Sequence, residues 1–518
     1  MARTARNTVI FSAATGLSRV VGLAREIVAS SYFGTSGAFS AFTLAFQVPN
    51  LIRSLFADAA LSAAFVPVFS ELLEKGNRKD AFKLASTLFF LITLVLGVIT
   101  VLFTLIAPWL MPLFTGSEFD RQLDELTGGL AQVMFQIVLL LGLNGLLVGI
   151  LNAYDHFTVP ALSPVVWNLV IIAFLVFAKD RYDGDEQLYA YAFGVLVGTV
   201  VQLLMALPVL HRLGFKLEIS FDFRDPRVRQ VLVLMLPVTI GLGLINFNLL
   251  INSTLGSLVS EQAPRAIDAA FRIYMLPQGI FSVAIATVLF PALSRLSTRR
   301  DREGLIALNA RGTRFIYLTL LPAAAFTLVL AEPITRLVYE RGEFGAEQTE
   351  LVRSALFWFS FSLPFSGVNL LLTRTFFSLQ RPWIPTRLAI LSLFINVVVS
   401  VALYDPLGIP GIVLGTVVST AATTALQSRA LRVGLGRIDL AETLPAVARM
   451  VAASALLGVV AWLVHKGLDE ALGRSLIAQA VAMGLALSTG VAAYAAAVLA
   501  LRVEEARYLQ RLVMARMR

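Results

Sequence analysis

The run Leu84-Ala-Ser-Thr-Leu-Phe-Phe-Leu-Ile-Thr-Leu-Val-Leu-Gly97-Val-Ile-Thr-Val-Leu-Phe-Thr-Leu-Ile-Ala-Pro108-Trp-Leu-Met-Pro112 contains no charged residue. A helix needs about 20 mostly apolar residues to cross the hydrocarbon core of a bilayer. This run meets that length, and Arg78, Lys79 and Lys83 stand just before it. It is one of fourteen such stretches in the chain. The others are placed near 7–29, 37–64, 126–151, 159–178, 187–210, 230–258, 266–294, 312–331, 351–378, 385–404, 410–428, 444–465 and 476–501. Composition agrees. Hydrophobic residues form 57% of 518 and charged residues only 14%, with a mean hydropathy of +0.79. A soluble chain of this length divides into domains that each need a polar skin, and there is too little charge to make them. The expected fold is all-α: a polytopic membrane protein of about 14 transmembrane helices.

The net charge of +9 is distributed by loop, which points to topology and not to nucleic acid. Lys and Arg in short loops are retained on the cytoplasmic side. One set of loops is basic: 75–79, 212–229, 295–314, 381–387 and 429–437. The alternate set is acidic, at Glu118 to Asp120, Asp183 to Glu186 and Glu340 to Glu350. This places both termini in the cytoplasm and requires an even number of spans. The basic segment from Arg502 to Arg518 reads as a surface helix beside anionic lipid. Arg19 interrupts the first apolar run and no small-residue cleavage site follows, so that run reads as an uncleaved span and not as a signal peptide.

Three patterns recur in order. Phe46-Gln-Val-Pro49 with Pro67-Val-Phe-Ser70 resembles Tyr274-Met-Leu-Pro277 with Pro291-Ala-Leu-Ser294. Tyr154 to Pro160 resembles Leu379 to Pro385, and Gly194-Val-Leu-Val-Gly198-Thr-Val-Val resembles Gly411-Ile-Val-Leu-Gly415-Thr-Val-Val. The offsets are about 228, 225 and 217 residues. Spans one to six therefore repeat as seven to twelve, with the same orientation in the membrane. The expected organisation is an N-lobe at 1–222, a C-lobe at 223–440, and two further helices with a basic tail at 441–518. The two six-helix lobes would be related by a pseudo-twofold axis around a central cavity. Pro49 and Pro277 occupy matching places and are the expected hinges or breaks. Gly145 and Gly149, Gly194 and Gly198, and Gly411 and Gly415 have the spacing that lets membrane helices approach closely.

The informative residues are charges at membrane depth. Arg19 and Arg25 lie on the first span, Arg53 on the second, Arg272 on the eighth and Arg374 on the tenth. An arginine facing lipid at the bilayer centre costs about 2.5–3.5 kcal/mol on the mildest scale. Four of them would cost roughly 10 kcal/mol, comparable to the whole stability of a domain. Acids that could neutralise them are few: Glu26, Asp58 and Asp268. A solvated cationic cavity is the economical solution. Guanidinium groups keep their charge and grip two oxygens at once, so such a cavity favours a phosphorylated anion. The alternatives are a local pair with Glu26 for Arg25, snorkelling to the cytoplasmic face for Arg53, and an interface position for Arg374.

Other chemistries are not supported. There is no GxxxxGK[ST] loop, and Gly241-Leu-Gly243 lies inside an apolar helix. Cysteine is absent, and the three histidines, His156, His211 and His465, are scattered, so neither a disulfide framework nor a metal cluster is expected. Transport is the remaining broad class.

The stretch Ser18-Arg19-Val-Val-Gly22-Leu-Ala-Arg25-Glu26, with Ala45-Phe-Gln-Val-Pro49-Asn50-Leu-Ile-Arg53 and Ala64-Phe-Val-Pro67-Val-Phe, resembles the MurJ/MviN lipid II flippase family. The similarity continues through Arg272, Pro277-Gln-Gly279, Pro291-Ala-Leu-Ser294 and the segment from Arg374 to Pro385. The resemblance implies a fold of the multidrug/oligosaccharidyl-lipid/polysaccharide exporter type, with the two added helices forming a groove for a lipid tail. It implies a transporter, not an enzyme, that moves lipid II from the cytoplasmic to the outer leaflet of the bacterial cytoplasmic membrane for cell-wall synthesis. Lipid II is the undecaprenyl-pyrophosphate-linked peptidoglycan precursor. On this resemblance Arg19, Arg25, Arg53 and Arg272 would bind the pyrophosphate, with Glu26, Asp58 and Arg374 at the substrate or at an interface. Its partners would be lipid II, membrane lipids and cell-wall synthesis enzymes. No cofactor is implied beyond coupling to sodium or to the membrane potential. The family's cation site would fall on Asn252, Asn396, Ser400 and Thr416, which offer no carboxylate; ordinary helix-packing roles are the alternative. Other departures are Ser36 to Ser40, where relatives often carry an Asp, and Arg381 to Pro385. The competing functions are a flippase for another undecaprenyl-linked polysaccharide unit and a cation-coupled multidrug exporter. Multidrug exporters of cationic drugs usually need carboxylates where this chain has arginines.

Overall fold

A computed structural model of the chain describes residues 2–56, 59–436 and 440–517. The described residues form helices and contain no strand. By packing, the chain divides into two units, Met1–Arg265 with Arg341–Phe344, and Ala266–Glu340 with Gly345–Arg518.

The first unit contains α1 (Ala2–Phe33), α2 (Gly37–Phe56), α3 (Ala59–Glu74), α4 (Arg78–Leu110), α5 (Arg121–Ala153), α6 (Thr158–Phe177), α7 (Leu188–Arg212), α8 (Pro226–Gly256) and the first residues of α9 (Ala263–Pro277). Helix α5 is the central post, packed against α2, α3, α4 and α7, while α6 joins α7 to α1. Its buried face includes Leu130, Met134, Phe135 and Val138, which meet Phe39, Phe42 and Leu44 of α2. Asp120 caps α5 by accepting a hydrogen bond from the Leu123 N–H at 2.8 Å. Helix α8 packs on α2 and α3. The packing boundary therefore falls at Arg265, inside α9, whereas the repeat boundary read from the sequence lies at 222/223.

The second unit continues α9 into a π-helical turn, Gln278–Ser282, and then α10 (Val283–Thr298). It is completed by α11 (Arg302–Val329), α12 (Ala331–Tyr339), α13 (Ala346–Ser360), α14 (Leu363–Ser378), α15 (Trp383–Leu407), α16 (Ile409–Leu435), α17 (Leu440–Leu472), α18 (Leu476–Ala500) and α19 (Glu504–Met517). Helices α13 and α14 form one apolar stretch bent by 49°. Pro364, in the first turn of α14, has no N–H to carry the ladder across the bend. Helices α17 and α18 pack on each other, and α17 lies along α11. The tail helix α19 docks on α11 through an Arg314–Glu505 ion pair at 2.5 Å and the Arg311 guanidinium 4.1 Å over the Tyr508 ring.

Helices overlap the stretches read from the sequence, but 37–64 is shared between α2 and α3 and 351–378 between α13 and α14. Ten are long and apolar enough to cross a membrane, or eleven if the bent pair is one span, among the described residues. The protein is a multi-pass α-helical membrane protein. Pro49 lies within a continuous α2, and Pro277 ends α9 where the π-turn begins.

The glycine pairs act where backbones approach. A Cβ at Gly194 would sit 2.8 Å from the Phe174 Cβ, and one at Gly198 3.2 Å from the Trp167 carbonyl oxygen, so α7 seats directly on α6. In the second unit a Cβ at Gly411 would fall 2.0 Å from the Leu403 carbonyl oxygen, and one at Gly415 2.0 Å from the Ser400 Oγ and 2.9 Å from the Asn396 carbonyl oxygen. The two repeat-related glycine pairs thus make the same kind of helix contact, α6 with α7 and α15 with α16. Gly415→Ala should cost about 1–3 kcal/mol of overpacking, read as a lowered Tm in detergent. Gly467→Ala, with nothing within 4 Å of the added methyl, should leave Tm unchanged or raise it; equal effects would refute the packing role.

Candidate functional site

Helix α1 carries the first charged cluster. Arg19 is exposed on it. Arg25 and Glu26, a turn and a half further on, are buried at 8% and 3% exposure. They are bonded to each other, Arg25 Nη2 to Glu26 Oε1 at 2.5 Å. A third charge completes the group: Arg265, 1% exposed, donates from Nη2 to Glu26 Oε2 at 3.2 Å and to the Ser30 Oγ at 2.9 Å. The Tyr191 hydroxyl of α7 reaches Glu26 Oε1 at 3.5 Å. The guanidinium of Arg25 lies 5.0 Å from the centre of the Trp167 ring, and that of Arg265 4.0 Å from the Phe39 ring. Ser40 accepts the Arg265 backbone N–H at 3.2 Å. Two guanidinium groups therefore share one carboxylate. Aromatic faces lie against both guanidinium groups, while the Arg25 Nε is buried without a hydrogen-bond partner.

In the sequence Arg265 precedes the apolar run and reads as a loop residue. Its signal is Ala263-Pro264-Arg265. Proline suits the first turn of a helix, where its missing N–H costs nothing, so Arg265 is already helical and its side chain turns inward.

Arg53, near the end of α2, is half-buried. Its Nε donates to the Asn50 Oδ1 at 2.9 Å, and the Asn50 amide donates to the Asn246 Oδ1 of α8 at 2.8 Å. Asp58 lies outside the described residues. In the second unit, Arg272 donates from Nε to the Asp268 Oδ2, one turn back on α9, at 2.7 Å, and keeps about a third of its side-chain surface exposed. Arg374 is half-buried on α14, 5.6 Å from the centre of the Phe290 ring. Arg25 and Glu26 thus belong to one buried network with Arg265.

Asn252 is buried on α8 in the first unit. Asn396, Ser400 and Thr416 are buried on α15 and α16. The Ser400 hydroxyl is 3.3 Å from the Asn396 Oδ1 and donates to the Ile412 carbonyl at 3.1 Å. These groups fill the seam that Gly415 opens. No group of three or more His, Cys, Asp or Glu stands together among the described residues.

The family model for the lipid II flippase MurJ matches residues 29–470. The chain belongs to the MurJ family. Among relatives of this family, a protein of Rhizobium meliloti (strain 1021) named probable lipid II flippase MurJ is 31% identical over 456 residues, covering 86% of this chain and 85% of that one. The fold is shared with a solved lipid II flippase MurJ in an inward closed conformation (TM-score 0.78, 21% identity, 97% of this chain and 99% of that one). It is shared too with an inward-facing multidrug resistance MATE transporter (TM-score 0.70, 18% identity, 81% and 94%). MurJ proteins are transporters, and fold alone does not separate them from drug exporters. The family match does.

The buried cluster makes an asymmetric stability prediction. Glu26→Gln removes the carboxylate that both guanidinium groups contact and should cost about 3–5 kcal/mol. Arg265→Met leaves a neutral Arg25–Glu26 pair and should cost less. Thermal unfolding in detergent checks this, and an Arg265→Met variant less stable than Glu26→Gln would contradict it.

Proposed function

We propose that this protein moves lipid II, a polyprenyl-diphosphate-linked precursor of peptidoglycan, from the cytoplasmic to the outer leaflet by alternating access. Membership of the MurJ family carries this reading, and the membrane-depth arginines give it a chemical basis. A diphosphate is the group that guanidinium forks bind best, and a drug cation is the group they repel. Arg19, Arg25, Arg53 and Arg272 are the proposed diphosphate ligands, with Glu26 and Asp268 holding Arg25 and Arg272 in place. Asp58 and Arg374 are proposed to lie at the substrate or an interface, and Pro49 and Pro277 to serve as hinges.

The wider frame of the proposal is fourteen crossings with both termini in the cytoplasm, in a bacterial cytoplasmic membrane. The repeat gives lobes at 1–222 and 223–440, followed by 441–518. Coupling is assigned to sodium or to the membrane potential, with Asn252, Asn396, Ser400 and Thr416 as the sodium candidates and cell-wall synthesis enzymes as partners. The apolar groove beside α17 is assigned to the polyprenyl tail.

Depletion of the protein tests the substrate class. Lysis with accumulation of lipid II is the expected outcome. A viable cell that lacks a surface polysaccharide would instead point to a different polyprenyl-linked glycan and refute the proposal.

A further inference from the structure

The second unit holds an apolar groove of about 1020 Å³ between α11, the bend of α13 and α14, and α17, walled by Leu321, Phe357, Phe361, Val451 and Val459. Arg353 and Trp462 line both this groove and a polar pocket of about 260 Å³, so the two adjoin. Four cations line that pocket, Arg336, Arg353, Lys466 and Arg474, against two carboxylates, Glu332 and Asp469.

The pocket is built around a buried charge. Arg336 of α12 is only 6% exposed. Its Nη2 meets the Asp469 Oδ1 at 2.5 Å, but its Nε is buried with no hydrogen-bond partner. An orphaned buried N–H on a cation is costly unless a ligand or water accepts it. The Lys466 ammonium lies over the Trp462 ring at 5.3 Å, at the junction with the groove. The Arg353 Nε donates to the Glu350 Oε2 at 2.6 Å.

We propose that this pocket is a second diphosphate site, which holds the head of a polyprenyl diphosphate lipid while its tail lies in the adjoining groove. The proposal rests on the lipid II reading and deepens it. The pocket keeps a surplus of positive charge once Asp469 and Glu350 pair with Arg336 and Arg353. An anion joined directly to a long apolar chain matches a small basic pocket that adjoins an apolar groove. The pocket adjoins the acidic loop that precedes α13, so on the orientation proposed above it faces the outer leaflet. There it receives lipid after translocation, on residues other than Arg19, Arg25, Arg53 and Arg272.

The test is quantitative native mass spectrometry of the full chain with undecaprenyl diphosphate, phosphatidylglycerol and inorganic diphosphate as separate probes. Wild type should bind two molecules of undecaprenyl diphosphate. Lys466→Gln with Arg474→Gln, both at the rim of the pocket, should weaken one of the two at least tenfold, and Arg272→Ala should weaken the other. Arg336→Met should act like the rim double variant, provided its Tm shows a folded chain. Unchanged binding in the rim variant, with loss only in Arg272→Ala, overturns the second site and leaves the lipid II reading intact. Equal binding of phosphatidylglycerol or of inorganic diphosphate at the rim also overturns it. No binding of undecaprenyl diphosphate by wild type counts against both.

Discussion

A charge inside a bilayer needs an opposite charge, water or a bound ion, and this constraint organises the whole molecule. Arg25, Glu26 and Arg265 show one solution. The carboxylate is shared between two guanidinium groups, and aromatic rings replace part of the lost hydration. Removing either partner from a buried pair is costly, so the start of α9 is tied to α1 within the first unit. The loop Arg341–Phe344 reaches the same helix. The Glu343 N–H donates to the Ser31 carbonyl at 2.9 Å. Gly342, at a φ of +61°, comes so close to that oxygen that a Cβ would lie 2.2 Å from it. Only glycine fits there without strain.

The other arginines have different surroundings. The Arg53 Nε donates to the Asn50 amide oxygen, the Arg272 Nε donates to the Asp268 carboxylate one turn back on α9, and Arg19 is exposed. A partner three or four residues away on the same helix orients a guanidinium along that helix.

Much of this was legible in the sequence because lipid imposes simple rules. Uncharged runs gave the helices, and the glycine pairs marked where α6 meets α7 and α15 meets α16. The arginines stood out by their cost. The rest depended on tertiary contact. Arg265 looks like a loop residue until α9 is seen to begin at Ala263. The division at Arg265 reflects the packing of α8 on α2 and α3, which no repeat pattern encodes. Arg336 belongs to a short helix, α12, too short to register as a hydrophobic stretch. Asn396 and Ser400 read in the sequence as an ion site or as packing groups; the Ser400 hydroxyl's contacts with the Asn396 Oδ1 and the Ile412 carbonyl follow from the close approach at Gly415.

The central claim is that arginines are kept at membrane depth to hold a lipid-linked diphosphate in transit. It is tested most directly by measuring outer-leaflet lipid II in cells whose only copy of the protein is Arg19→Ala or Arg272→Ala. The account predicts loss of outer-leaflet lipid II with the protein still present in the membrane. Normal delivery of lipid II by both variants would contradict it.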